Sequence, residues 1–261
     1  WPRLDGATAA YPIYASAFYA LSVIPEDFHV WDYLDNSRTQ EAYNKIVNGD
    51  ADIIFVAQPS DGQKKRAEKS GVTLLYTPFA REAFVFIVNA DNPVNSLTEQ
   101  QVRDIFSGAI TNWRTVGGKD QEIQTWQRPE DSGSQTVMQS QVMKNVRMIS
   151  PQETEVASMM EGMIKVVAEY RNTNNAIGYT FRYYATQMNA DKNIKLLAIN
   201  GIAPTAENIR NGKYPYIVDA FMVTRENTTS ETQKLVEWFL TPQGQSLVED
   251  VGYVPMYPTM K

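Results

Sequence analysis

Gln127-Arg128-Pro129-Glu130-Asp131-Ser132-Gly133-Ser134 sets a guanidinium four residues ahead of a Ser-Gly-Ser turn, and a helix-like run follows. Pro129 and Gly133 disfavour regular structure across the turn. Ser132 and Ser134 are helix-capping types, so the spacing predicts a helix over Gln135 to Val146. The first amides of such a helix have no intrahelical acceptor. A phosphate-like oxyanion can accept from them and from both hydroxyls, while Arg128 adds a planar, permanently charged fork that matches two oxygens. The competing reading is structural: an ordinary capped helix whose Arg128 pairs with Glu130 or Asp131. The turn alone leaves both open.

Other chemistries have less to stand on. His29 is the one histidine, set between Phe28 and Val30, and no Gly-x-Ser-x-Gly elbow supplies a nucleophile, so catalysis is not expected. With no cysteine, disulfides, thiolate zinc sites and a cysteine nucleophile are excluded. One histidine and no EF-hand spacing leave no expected metal site or cofactor. A net charge of -6 without a basic block argues against a nucleic-acid partner. Lys64-Lys65-Arg66 with Lys69 is interleaved with Glu68 and reads as a solvated helix face. Asn227-Thr228-Thr229 matches a glycosylation sequon to which no function is assigned. No apolar run reaches the roughly 18 residues of a membrane span. A start at Trp1 reads as a trimmed or mature form, with any signal or lipid anchor upstream.

The elements that must position the Arg128 turn alternate between short apolar runs and helix-like stretches, the pattern of an α/β protein. Helices are expected at Ala7 to Leu21, Thr39 to Asn48 ended by Gly49, Gln63 to Lys69, Thr98 to Phe106, Ser158 to Tyr170, Thr205 to Asn211, Thr232 to Leu240 and Pro242 to Val248. Strands are expected at Val30 to Leu34, Ala51 to Val56, Val72 to Tyr76, Ala83 to Asn89, Ile123 to Gln127, Ala176 to Thr180, Ile194 to Ile199 and Ala220 to Val223. The helical spacing of Tyr11, Tyr14 and Phe18 packs them on a sheet. Tyr179 to Tyr184 either join a core or line a cleft. Extended stretches near 81–89 and 214–221 suggest that the chain crosses twice between lobes, one made of residues 1–86 plus 217–261 and the other of 87–216.

Three stretches in this order resemble the PstS-like phosphate-binding proteins, class II solute-binding proteins of ABC transporters: Asp5-Gly6-Ala7-Thr8-Ala9-Ala10-Tyr11-Pro12, Ala51 to Ser60, and Arg128 to Ser134. Leu97 to Trp113 and Asn175-Ala176-Ile177-Gly178-Tyr179 fit the same family. The resemblance covers nearly the whole chain. It implies a two-lobed periplasmic-binding-protein-like type II fold, each lobe a mixed sheet flanked by helices, with the ligand cleft between lobes. By the family pattern, Thr8, the amide of Ala9 and Thr39 meet the anion from one lobe, and Arg128, Ser132, Gly133 and Ser134 from the other. Glu130 falls where the family holds the arginine. Arg38 and Gln58 are less certain neighbours of the site.

One departure stands out. Where the family has an aspartate that accepts the ligand's own proton, this chain has Ala57 followed by Gln58, which puts the choice of oxyanion in doubt; Asp5 or Asp35 is a candidate replacement. The resemblance further implies an extracytoplasmic monomer, anchored through a segment upstream of Trp1, that captures phosphate or a related oxyanion and delivers it to an ABC transporter permease. A surface sensor or interaction module of the same fold that has lost transport, or a binder of a different oxyanion, is the alternative.

Overall fold

The computed structural model describes all residues except 24–28, 152–159, 170–174 and 261. In chain order it contains β1 (Leu4–Gly6), α1 (Tyr11–Leu21), α2 (Arg38–Asn48), β2 (Ile53–Val56), α3 (Asp61–Lys69), β3 (Leu74–Asn89), β4 (Ser96–Leu97), α4 (Glu99–Ser107) and β5 (Gln124–Thr125). Then come α5 (Gly133–Val137), α6 (Met160–Glu169), β6 (Ala176–Phe181), β7 (Ile194–Leu196), β8 (Ala198–Ile199), α7 (Ala206–Arg210), β9 (Ile217–Arg225), α8 (Ser230–Leu240), α9 (Pro242–Val251) and β10 (Val254–Pro255). The chain folds as two compact units, Trp1–Arg81 with Asp219–Lys261, and Glu82–Val218. β3 and β9 each contribute residues to both.

In the first unit β1 pairs parallel to β2, β2 antiparallel to β9, and β10 antiparallel to β3. All four residues of β2 are buried, as a strand covered on both faces requires. Ile54 and Val56 meet Ala42, Tyr43, Ile46 and Ala67 of α2 and α3. Phe55 points the other way, into a ring cluster with Tyr14, Phe79 and Phe239. Tyr14 and Phe18 are fully buried, so the spacing in α1 has the packing role expected of it. Gly6 follows from the pairing, because a Cβ there would lie 2.4 Å from the carbonyl oxygen of Phe55.

In the second unit β3 pairs antiparallel to β6 and β7, and β5 parallel to β6; β4 and β8 form a small parallel pair. The aromatic layer on β3 and β6 joins Phe84, Phe86 and Tyr179 to Phe106 of α4. α6 packs on β6 so closely that a Cβ on Gly178 would meet the sulfur of Met163 at 2.3 Å. Of the helix expected at Ser158 to Tyr170, residues 158, 159 and 170 lie outside the described residues.

Three expectations are corrected. Val30 to Leu34 is not a strand: Val30–Asp32 is a 3-10 turn, with Trp31 and Asp32 exposed and only Leu34 bridging to Leu4. The strands read at Val72 to Tyr76 and Ala83 to Asn89 are one strand, β3; the Thr77-Pro78 and Arg81-Glu82 pairs interrupt the apolar pattern but not the backbone. The helix over Gln135 to Val146 starts earlier, at Gly133, and is α-helical only to Val137, with Met138–Met143 wound as a π-helix. There Thr136 Oγ1 donates to the Ser132 carbonyl (3.1 Å) and Ser140 Oγ to the Thr136 carbonyl (2.6 Å), side-chain bonds that compete with the regular ladder.

Candidate functional site

In the first unit Thr8, Ala9, Arg38, Thr39 and Gln58 sit on loops and helix starts around β1 and β2. Leaving β1, the chain turns through Ala7 in extended geometry into a 3-10 turn, Thr8–Ala10, that runs on into α1 with Pro12 in its first turn. The amide of Ala10 already reaches the Ala7 carbonyl at 2.9 Å, whereas those of Thr8 and Ala9 come first in the turn and have no carbonyl behind them to bond. α2 is delivered to the same place by a polar cluster. Asp5, with 2% of its side chain exposed, accepts from the amide of Ser37 (2.8 Å) and from its hydroxyl, and pairs with Lys45 at 3.2 Å. Lys45 also binds Asp35. Its hydrogen bond is the main reason the Asp35 carboxyl is held below its ordinary value.

The Ser37 hydroxyl donates to Asp5, and no side-chain hydrogen bond caps the start of α2. Thr39, second in the helix, is buried beside these uncapped amides. Arg38 opens α2 at a left-handed φ of 73°, a strained conformation for this residue type, and is exposed. Gln58, half-buried, lies just beyond β2 and has a partner within the protein. Asp5 and Asp35, the candidate replacement acceptors, both pair with Lys45.

The second unit gathers the Arg128 turn. Ser132 Oγ caps the helix by accepting from the amide of Gln135 at 3.3 Å. Acceptance uses a lone pair, so the Ser132 O–H stays available to donate. Gly133 and Ser134 follow as the first two helical residues, both buried. The Ser134 hydroxyl is 1% exposed and has no partner among the described residues. A buried hydroxyl with nothing to bond is costly unless a ligand supplies the acceptor. Glu130 accepts from Gln139 at 3.0 Å, tying the turn to the π-helix.

Sequence reasoning did not find the group that holds this turn in place. The Tyr179 hydroxyl accepts from the backbone amide of Arg128 (3.0 Å) and donates to Gln135 Oε1, which takes the same amide at 3.2 Å. Burial in the aromatic layer pushes the Tyr179 phenol far above its usual range, so it stays protonated. Asn175 to Tyr179 was legible as a motif, but its apolar setting hid the hydroxyl's task. Nor does any local signal tie Asp5 to Lys45, forty residues on.

Among the described residues no group of histidine, cysteine or carboxylate side chains is placed to hold a metal ion. In each unit the named residues are donor-rich: main-chain amides at helix starts, hydroxyls and an arginine. A family model described as the PBP superfamily domain matches residues 3–243. The chain belongs to the PBP superfamily. It is 29% identical over 170 residues to phosphate-binding protein PstS of Bacillus subtilis (strain 168), an alignment that covers 65% of this chain and 53% of the relative. PstS of Staphylococcus epidermidis (strain RP62A) is 26% identical over 227 residues, covering 83% and 67%. The chain thus spans about half the length of the first of these relatives, at 53%.

Among solved structures, a Clostridium perfringens protein with bound phosphate, assigned as a phosphate ABC transporter substrate-binding protein, gives a TM-score of 0.76 at 22% identity, with 98% of this chain and 99% of that one covered. An ABC-type phosphate transport receptor from Vibrio cholerae gives 0.72 at 21%, covering 97% and 99%. At such identities the likeness is one of fold, and the expectation of an α/β fold of the type II binding-protein kind holds. The resemblance to PstS-like proteins holds as well.

Proposed function

We propose that this PBP superfamily member is an extracytoplasmic solute-binding protein that captures inorganic phosphate, or a related tetrahedral oxyanion, and passes it to an ABC importer. The observation that carries the reading is the Arg128 turn. A capped helix start with two further amides, a buried Ser134 hydroxyl lacking an acceptor, and a guanidinium on the same turn together match an anion's oxygens. Thr8, Ala9 and Thr39 add donors of the same kind from the other unit. When one anion draws hydrogen bonds from both units, binding favours the arrangement in which both reach it. The names of the relatives, phosphate-binding proteins, support the choice of anion. The mechanism is capture and release, without a chemical step.

Delivery to a permease, anchoring outside the cytoplasm and a monomeric state are parts of this reading. Among the described residues no helix is long and apolar enough to cross a membrane. The test is a thermal-shift series with inorganic phosphate: a ligand bound only by the folded chain raises Tm with concentration. A Tm that phosphate leaves unmoved at millimolar concentration would remove the proposal.

A further inference from the structure

We infer that the second unit carries a further ligand site, separate from the oxyanion donors, for a small organic anion with an apolar body. The site is a cavity of about 530 Å³ lined by residues of the Arg128 turn and of the segment from Met143 to Pro151. That volume lies in the range of small-molecule pockets, and a single tetrahedral ion fills only a small part of it. Of the four residues proposed above to meet the oxyanion from this unit, Arg128 lines the cavity, whereas Ser132, Gly133 and Ser134 do not. The inference does not rest on the function proposed above.

The lining joins two chemistries. Arg128, Lys144 and Arg147 are cationic and Glu130 is the one carboxylate, which leaves a surplus of two positive charges in a chain whose net charge is -6. Lys144 and Arg147 are exposed, and neither side chain makes an ion pair or a hydrogen bond with another described residue. Met143, Val146, Met148 and Ile149 supply apolar surface, with Val146 left 41% exposed. Apolar surface next to two cations that lack a protein partner complements a ligand that carries both an apolar body and a negative charge, and the thioethers of Met143 and Met148 adapt to its shape. The wall opposite the Arg128 turn is fixed: Gln127, 3% exposed, donates to the Ile149 carbonyl at 2.9 Å, and the Ile149 amide donates to the Phe106 carbonyl at 3.0 Å. Two backbone irregularities meet at this wall, the π-helix Met138–Met143 and, directly after it, Lys144 at a positive φ of 53°. Both kinds of feature recur at functional sites.

Fluorescence titration of the full chain with anilinonaphthalene sulfonate, an aromatic anion, tests the site. The expected result is saturable binding of one dye per chain, displaced by octanoate but not by equal concentrations of acetate, which has the charge without the body, or of octanol, which has the body without the charge. Lys144→Ala combined with Arg147→Ala should weaken the dye by about tenfold or more, while the Kd for inorganic phosphate changes by less than about threefold. Val146→Glu, a second variant at an exposed position, should weaken the dye as well, because it sets a like charge against the ligand. No saturable dye binding, displacement by acetate or octanol, or dye affinity that the double variant and Val146→Glu both leave unchanged would overturn the inference. Dye binding as expected in a chain that does not bind phosphate would remove the function proposed above and leave this site standing.

Discussion

The two donor-rich segments, one in each unit, use the same kinds of donor but are held by opposite means. In the first unit the start of α2 is fixed by charge: buried Asp5 grips Ser37, and Lys45 pairs with both Asp5 and Asp35. In the second the Arg128 turn is fixed by neutral hydrogen bonds, Tyr179 to Arg128 and Gln135, inside an aromatic layer. Tyr179 and Gln135, which hold the backbone amide of Arg128, are neutral, whereas the groups that hold the start of α2 are charged.

The largest expected effect breaks the second of these segments. Arg128→Ala should weaken phosphate binding by a hundredfold or more, about 3 kcal/mol, because the anion then sits desolvated without its countercharge. Calorimetry reads this, and a loss under tenfold would mean that the guanidinium does not meet the ligand. Next comes the charged support of the first. Lys45→Met strands a buried carboxylate and should destabilise the fold by about 2 to 4 kcal/mol, visible as a lower denaturant midpoint at unchanged m-value. Tyr179→Phe is milder, about 1 to 2 kcal/mol, since one hydroxyl is lost from a neutral network while the ring stays packed. It should weaken phosphate binding by about tenfold through the Arg128 turn. An Arg128→Ala, Tyr179→Phe double variant should then lose nothing further in binding, a non-additivity that a purely structural tyrosine would not give.

Much of the fold was legible because local signals and tertiary packing agree. Thr98, Thr205, Thr229 and Thr241 cap their helices through hydroxyls, and Gly49 and Gly108 end theirs at left-handed φ. The Arg128 turn was legible for the same reason: Ser132 caps where its type and place indicate. What stayed hidden depends on distant partners. The π-helix after Val137 is accompanied by side-chain bonds of Thr136 and Ser140, residue types that read as ordinary helix or loop. The continuity of β3 across Arg81-Glu82 depends on Glu82, which is buried against Arg182 and the amides of Ala83 and Tyr183.

Glu82 also sets the two units apart in their response to pH. Burial pushes its carboxyl up to about 7, against the pull of Arg182 and of the two amides. The folded chain then holds this proton more tightly than the unfolded one. Its contribution to stability is full below about 4.5 and is lost as the pH climbs to about 7. The slope is at most about 1.4 kcal/mol per pH unit. Asp35, whose pKa is lowered chiefly by the Lys45 hydrogen bond, works in the other direction: its contribution is present above 3.8 and is lost as the pH falls through its lower folded value. Stability measured against pH for the wild type and Glu82→Gln should show the difference between them change across that upper window. A constant difference would show that Glu82 is ionised throughout.

The central claim is that donors from both units serve one anion. Calorimetric titration of inorganic phosphate into the wild type, Arg128→Ala and Thr39→Ala tests it most directly. The account predicts one phosphate per chain in the wild type and weakened binding in both variants, although they lie in different units. Undiminished binding in either variant, or no heat in the wild type, would contradict it.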